Sequence, residues 1–412
     1  VQNLQINPQR LWDMLMETAA FGGTPKGGVC RLTLTDLDAK VRDWFKAECE
    51  KVGCTVRIDE VGNMFALRPG RRNDLPPIAM GSHLDTQPTG GKFDGILGVL
   101  GGLEVLKTLH DLGYETNAPV MLVNWTNEEG SRFAPAMLGS GVFAGVFDRA
   151  YADSREDRNG VSFKDAIEAI GYRGEVPAGA VELGAMFELH IEQGPILEAE
   201  GKTVGIVKGV QGMRWYEATV IGKEAHTGST PMNLRRDALV GTAKLIEAVN
   251  AVALAHPGAV GTVGLIESKP NSRNVIPGEV FFTIDFRHPE APVLDVLEAD
   301  FAAAVAKIAE ATGLEITWKR IWDSPPVAFH PDLIEAVREG AAVAGLPARE
   351  IVSGPGHDAA YIARVCPTTM IFVPSKDGIS HNEAESTTFD ECGAGAQVLL
   401  NAVLTYDRRF AA

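Results

Sequence analysis

The sequence predicts an α/β fold carrying an inserted unit of ferredoxin-like strand order, and three observations lead there. Over residues 10–210, short β-branched or apolar runs alternate with helical patterns, the grammar of a sheet with helices on its faces. Between 212 and 323 the order becomes strand, helix, strand, strand, helix, strand, which is the ferredoxin-like order. After Pro325 and Pro326 the first texture resumes. The simplest organisation is one domain made of 1–211 and 325–412, with a second, 212–324, inserted into it and hinged near Val210–Gly212 and Ser324–Pro326.

Taken in order, Ile78–Met80, Val120–Trp125 and Phe187–Ile191 read as strands, with helices over Asp36–Val52 and Gly95–Leu112. In the inserted stretch Arg214–Ile221 is a strand. Arg235–Ala255 is a helix with apolar Leu239, Ala243, Ile246 and Val249. Strands over Thr262–Glu267 and Glu279–Phe286, a helix over Val293–Thr312 and a strand over Leu314–Lys319 complete it. The closing stretch gives helices Pro331–Ala344 and Asp358–Val365, strand Thr369–Pro374 and a helix near Glu391–Tyr406.

Composition narrows the function classes. With 45% hydrophobic and 22% charged residues over 412 positions, the chain is long enough for a sizeable core and is neither disordered nor a membrane bundle. Thirty-eight basic against 54 acidic side chains give a net charge of −16, which repels phosphate backbones and acidic lipid surfaces. Nucleic-acid and membrane partners are therefore not expected, and an anionic small substrate needs a dedicated Arg or Lys. Five cysteines without a CxxC pair argue against a disulfide framework and a thiolate metal site, so a cytoplasmic setting is expected. The longest apolar stretches are broken by Glu104, His256 or glycines, short of a membrane span.

Chemistry-bearing residues gather where strands end. Gly81-Ser82-His83-Leu84-Asp85-Thr86 follows the Ile78–Met80 run, and Asp94 arrives through a glycine-rich turn at the start of a helix. On extended chain His83 and Asp85 share a face, so one can ligate a metal while the other accepts the imidazole N–H and fixes the ring. Asp94 can bridge two ions, although a polar loop with Asp94 as a helix cap reads the same way. Glu128 and Glu129 end the Val120–Trp125 segment as adjacent carboxylates whose repulsion a cation removes. One can ligate and the other can move protons, and a solvated loop is the alternative. His190 lies in Phe187-Glu188-Leu189-His190-Ile191-Glu192-Gln193, and His381 in the loop past Thr369–Pro374. Three histidines and two carboxylates suffice for two first-row divalent ions sharing Asp94. In the inserted unit, His226, Asn274 and Arg287 are donors suited to an oxyanion and a carboxylate, or to ordinary loop polarity and structural ion pairs.

The blocks GSHLDTQPTGGKFDGILGVL, NWTNEEGSRF, FELHIEQGPILE, GKEAHTGSTPM, NVIPGEVFFTIDFRHP and SKDGISHNEAE resemble, in order and across nearly the whole chain, amidohydrolases of the hydantoinase/carbamoylase family. That family includes N-carbamoyl-L-amino-acid hydrolases, β-ureidopropionase and allantoate amidohydrolase. The resemblance implies a mixed-sheet, dinuclear-metallopeptidase-like catalytic domain and an inserted dimerisation or lid domain, hence a homodimer. It implies that His83, Asp94 and His190 hold one ion and Asp94, Glu129 and His381 the other, zinc first, with manganese, cobalt or nickel as alternatives. It further implies Glu128 as general base, Asp85 as the carboxylate behind the ligands, and Gln193, His226, Asn274 and Arg287 as substrate-binding residues, His226 also stabilising the oxyanion.

Metallopeptidases and aminoacylases of this fold usually have a carboxylate at the position of His190, so the HIEQGP block resembles carbamoyl hydrolases. GSHLDTQP and FVPSKDGISHN resemble the N-carbamoyl-amino-acid and β-ureidopropionase branch more than the allantoate branch. The expected reaction is hydrolysis of the ureido C–N bond of an N-carbamoyl amino acid, a small carboxylate substrate, by water that two metals activate. An allantoate amidohydrolase, an aminoacylase or dipeptidase, and a non-catalytic metal-binding protein are the alternatives.

Overall fold

Among the described residues, nine strands form the sheet that positions the candidate site. Their order is Thr55–Ile58, Met64–Arg68, Val120–Trp125, Ile78–His83, Ala185–Ile191, Thr368–Val373, Val204–Val210 and Val327–Ala328, with Ala348–Ser353 also paired to Val204–Val210. The computed structural model describes residues 4–410. They fold as two units, one running to Gly209 and resuming at Ala328, the other Val210–Val327; the second therefore extends a few residues beyond the expected 212–324.

The four central strands of the first unit, Val120–Trp125, Ile78–His83, Ala185–Ile191 and Thr368–Val373, run parallel, and every residue in them is buried. Burial on both faces is why they read as near-continuous apolar runs rather than alternating ones. Helix Ile96–Asp111 packs on Ile78–His83 and Ala185–Ile191, and helices Pro8–Ala19 and Phe389–Phe410 pack on it in turn. The outer strands Thr55–Ile58 and Met64–Arg68 pair antiparallel, as do Met64–Arg68 with Val120–Trp125, so the sheet is mixed. Helix Pro8–Ala19 was not anticipated, although its start signal is present: Pro8 is its first residue, and the Asn7 side chain accepts the Arg10 N–H at 3.1 Å.

The inserted unit has the strand order Ile266–Lys269, Glu279–His288, Gly212–Ile221, Glu315–Ser324. Burial alternates residue by residue along Gly212–Ile221 and Glu279–His288. One face packs Tyr216, Val220, Phe282 and Phe286 with Leu245, Leu297 and Phe301 from helices Ala238–Ala255 and Ala291–Thr312, and this is the unit's core.

Several elements depart from the sequence reading for physical reasons. Helix Ala238–Ala255 buries Gly241, Leu245, Val249 and Val252, whereas Leu239 and Ala243 are exposed. The helix is apolar nearly all round, so its pattern could not choose a face. Its 18 residues, with a mean hydropathy of 1.5, are also long and apolar enough to cross a membrane by length and composition, contrary to the sequence reading, but Leu245 and Val249 belong to the unit's core. The expected strand Thr262–Glu267 is two pieces, Val260–Thr262 and Ile266–Lys269. Both pair with Glu279–His288, but Thr262↔Asp285 and Ile266↔Phe282 differ in register by one residue. An extra residue near Gly264 thus breaks the ladder. The last strand runs on to Ser324 because a bulge between Arg320 and Trp322, which hides the alternation, does not end the pairing.

Candidate active site

The carboxyl ends of the four parallel strands carry the chemistry. From Ile78–His83 the chain crosses through helix Ile96–Asp111 to Val120–Trp125 on one side, while Ala185–Ile191 pairs on the other. That reversal is a switch point, where open α/β sheets bind ligands. His83 ends one strand, His190 stands near the end of the next, and the segments past Trp125 and Val373 bring in Glu128, Glu129 and His381.

Asp94 sits between two groups of ligand atoms, as the sequence suggests. Its Oδ1 lies 3.2 Å from His190 Nε2 and 3.8 Å from His83 Nε2, and its Oδ2 lies 3.4 Å from His381 Nε2. Glu129 Oε2 is 3.4 Å from the same His381 nitrogen. The triads His83–Asp94–His190 and Asp94–Glu129–His381 each place their ligand atoms within 4.8 Å of one another. Glu128 belongs to neither triad, but its Oε2 is 3.4 Å from His83 Nε2.

The imidazoles are aimed by main-chain carbonyls. His83 Nδ1 donates to the Asp85 carbonyl at 2.9 Å, and His190 Nδ1 donates to the Ile191 carbonyl at 2.9 Å. A carbonyl only accepts, so Nδ1 carries the proton and Nε2 faces Asp94. Asp85 therefore fixes the His83 ring through its main-chain carbonyl, with its side chain close behind. Its carboxylate is 3.7 Å from the His83 ring and accepts the backbone N–H groups of Glu128 at 3.2 Å and Glu129 at 3.3 Å. Asp85 thus aligns the paired glutamates through its side chain as well as the histidine through its carbonyl. Gly95, at the turn into helix Ile96–Asp111, has φ 68°, and a Cβ there would lie 2.3 Å from the His83 ring. Only glycine permits this approach.

Charge in the site is unbalanced. Burial, reinforced by neighbouring carboxylates, pushes Glu128 and Glu129 well above the usual carboxylate range, and burial raises Asp85 to about 7 and Glu385 to about 8. Burial opposes charge on His190, yet the Asp94 carboxylate outweighs it and raises the imidazole to about 9. So many buried carboxylates call for positive charge. His83 Nε2 and Glu129 Oε1 are buried without a hydrogen-bond partner among the described residues, and the imidazole and carboxylate donors suit first-row divalent ions. The residues fit two such ions.

Residues 79–405 match peptidase family M20/M25/M40. The chain belongs to that family. Within it, an N-carbamoyl-L-amino-acid amidohydrolase of Rhizobium meliloti is 50% identical over 404 residues, spanning 98% of this chain and 97% of its own. An allantoate amidohydrolase of Bacillus subtilis is 36% identical over 392 residues, spanning 94% and 95%. The crystal structure of a hydantoinase/carbamoylase family amidase from Burkholderia multivorans is 55% identical, with a TM-score of 0.95 over 98% of both chains.

Several residues of this M20 site were not singled out in the sequence. Glu385 Oε1 accepts the N–H groups of Phe93 and Asp94 at 3.2 and 3.0 Å, pinning the turn that presents Asp94. Gly91 makes room for it, since a Cβ there would sit 2.1 Å from that oxygen. Beneath His190, the His357 ring packs edge-on with centroids 4.5 Å apart, and Glu188 accepts from Ser82 Oγ at 2.7 Å and the Ala359 N–H at 3.0 Å. His357-Asp358 follows strand Ala348–Ser353, the same signal that pointed to the candidate ligands.

Gln193 belongs to the first unit, and His226, Asn274 and Arg287 belong to the inserted one. Gln193, at φ 57°, donates from Nε2 to Asp94 Oδ2 at 3.0 Å and to Ser380 Oγ at 2.9 Å. His226 and Asn274 meet on a two-stranded ribbon, with Val275 opposite His226, that grows from the Ile221 and Glu279 ends of their strands. Arg287 lies at the other end of Glu279–His288, where its Nε and Nη2 donate to the Asp285 carboxylate at 2.7–3.1 Å. Eight residues of extended strand, about 27 Å, separate Glu279 from Arg287.

Proposed function

We propose that this chain hydrolyses the ureido C–N bond of N-carbamoyl amino acids, giving the amino acid, carbon dioxide and ammonia. The observation that carries hydrolysis is Glu128: a buried carboxylate outside both triads, yet 3.4 Å from a member of one. Metal binding alone needs no such spare group. The substrate class is supported by the 50% identity to the Rhizobium meliloti amidohydrolase.

His83, Asp94 and His190 would hold one divalent ion, and Asp94, Glu129 and His381 the other, with zinc first among zinc, manganese, cobalt and nickel. When bound, the ions supply Lewis acidity to a carbonyl and lower the pKa of water. Glu128 takes a proton from the attacking water and returns it to the departing amino nitrogen. Asp85, through the two N–H groups it accepts, keeps Glu128 and Glu129 turned to their separate tasks. Arg287 grips the substrate carboxylate, Gln193 and Asn274 orient the substrate amide groups, and His226 donates to the carbonyl oxygen as charge develops there.

His226 and Asn274 stand at the opposite end of their sheet from Arg287, which supports a homodimer in which the ribbon of one chain serves the site of its partner. Edge strand Ile266–Lys269 is open to such pairing, with Leu265 and Ile266 exposed. A reducing, cytoplasmic setting is supported by five unpaired cysteines.

The experiment is turnover by metal-reconstituted protein of several N-carbamoyl-L-amino acids, N-carbamoyl-β-alanine, allantoate, an N-acetyl amino acid and a dipeptide. The expected result is amino acid and ammonia from N-carbamoyl substrates in preference to the others. Faster release of ammonia and ureidoglycine from allantoate would move the assignment to that branch. In the same assay Arg287→Lys keeps the charge but loses the planar fork. KM for a carboxylate substrate should rise by about tenfold or more, while its carboxamide analogue scarcely changes. An unchanged preference for carboxylate over carboxamide removes Arg287 from that role.

A further inference from the structure

The two triads are oriented by different means. In the first, His83 and His190 lean on main-chain carbonyls, and all three members are at most 5% exposed. In the second, the two carboxylate oxygens that face His381 are each held by a side-chain amide. Gln193 Nε2 donates to Asp94 Oδ2, and Gln87 Nε2 donates to Glu129 Oε2 at 2.7 Å. These are the same oxygens that lie 3.4 Å from His381 Nε2. His381 itself is half exposed and has φ 52°, so it contributes little rigidity from the sheet.

Gln87 is well placed to act as a fixed donor. Its carbonyl accepts from Thr86 Oγ1 at 2.9 Å and from the Gly90 N–H at 3.2 Å, so the turn beneath its side chain is closed. Glu129 Oε1 has no partner among the described residues, which leaves the Gln87 amide as the group that sets the rotation of this carboxylate. A carboxylate oxygen has two lone-pair directions. The amide occupies one of those on Oε2 and leaves the other for a cation beside His381.

We propose that Gln87 is the positioning residue of the second triad, fixing the Glu129 carboxylate toward His381 and thereby setting the affinity for the ion held there, with no effect on the ion at His83, Asp94 and His190. This rests on the two-ion reading. Loss of a hydrogen-bond partner behind a metal ligand typically weakens binding about 10–100-fold. That loss falls on one ion only, because the first triad contains no atom that Gln87 touches.

The test is titration of metal-free protein with Co²⁺, followed by calorimetry and by the visible absorption of the bound ion, for wild type, Gln87→Met and Gln87→Asn. Methionine keeps the length and removes the donor, while asparagine keeps the amide and withdraws it by one methylene. Wild type should bind two equivalents. Both variants should bind the first with unchanged affinity and spectrum and the second about 10–100-fold more weakly, while the metal-free proteins melt as wild type does. Two equivalents bound as tightly as in wild type, or both weakened equally, would overturn the role of Gln87. A wild type that binds a single equivalent would overturn the two-ion reading beneath it.

Discussion

Replacing Glu128 with glutamine is expected to lower kcat by about 10²–10⁴-fold while both ions remain bound, the usual cost of losing an acid–base group. The side chain is buried, and its neighbour Asp85 holds the backbone at both glutamates, so the amide should occupy the same place. Glu129→Gln is the contrasting variant. Its Oε2 faces His381, so an amide there should release the second ion, and part of the lost activity should return at high metal concentration. Elemental analysis of both proteins beside steady-state rates checks the pair. Metal loss in the Glu128 variant and retention in the Glu129 variant would reverse the two roles.

Asp94→Asn should produce the larger loss of metal, because Oδ1 faces His83 and His190 while Oδ2 faces His381. An amide presents one oxygen and one N–H₂ group, so one side of the bridge turns from acceptor to donor. Both ions should weaken by more than the roughly 10–100-fold typical of a partner behind a ligand, and turnover should fall below detection at ordinary metal concentrations. Glu385 anchors the turn through the main chain at Phe93 and Asp94, so the loop itself should keep its course. A variant that retains two tightly bound ions and full turnover would remove Asp94 from the bridging position.

How far the sequence carried this reading depended on what each residue type could reveal locally. The buried parallel strands were legible because both faces are covered, and His83, Asp94, His190, His381 and the pair Glu128–Glu129 were legible because histidines and acids stand where such strands end, while only the family resemblance chose Glu129 as the ligand of that pair. The inserted unit's order was legible from its alternation, while the face of helix Ala238–Ala255 was not, since nearly every side of it is apolar. The sequence shows Asp85 beside His83 but not that its carbonyl meets the ring at 2.9 Å while its carboxylate accepts the Glu128 and Glu129 N–H groups. Glu385, Gln87 and His357 act through partners distant in the chain: Phe93 for Glu385, Glu129 for Gln87 and His190 for His357. Nothing in the immediate neighbourhood of Glu385 or Gln87 sets them apart from polar loop residues, whereas His357 follows a strand end as the candidate ligands do.

Anomalous diffraction from crystals of the zinc-reconstituted protein, recorded on either side of the zinc absorption edge, locates the bound ions directly. Two peaks per chain are expected, one about 2.0–2.2 Å from His83, Asp94 and His190 and the other at the same range from Asp94, Glu129 and His381, with Glu128 bonded to neither. A single peak, a peak ligated by Glu128 in place of Glu129, or an ion seated instead among Glu188, His190 and His357 would contradict that assignment.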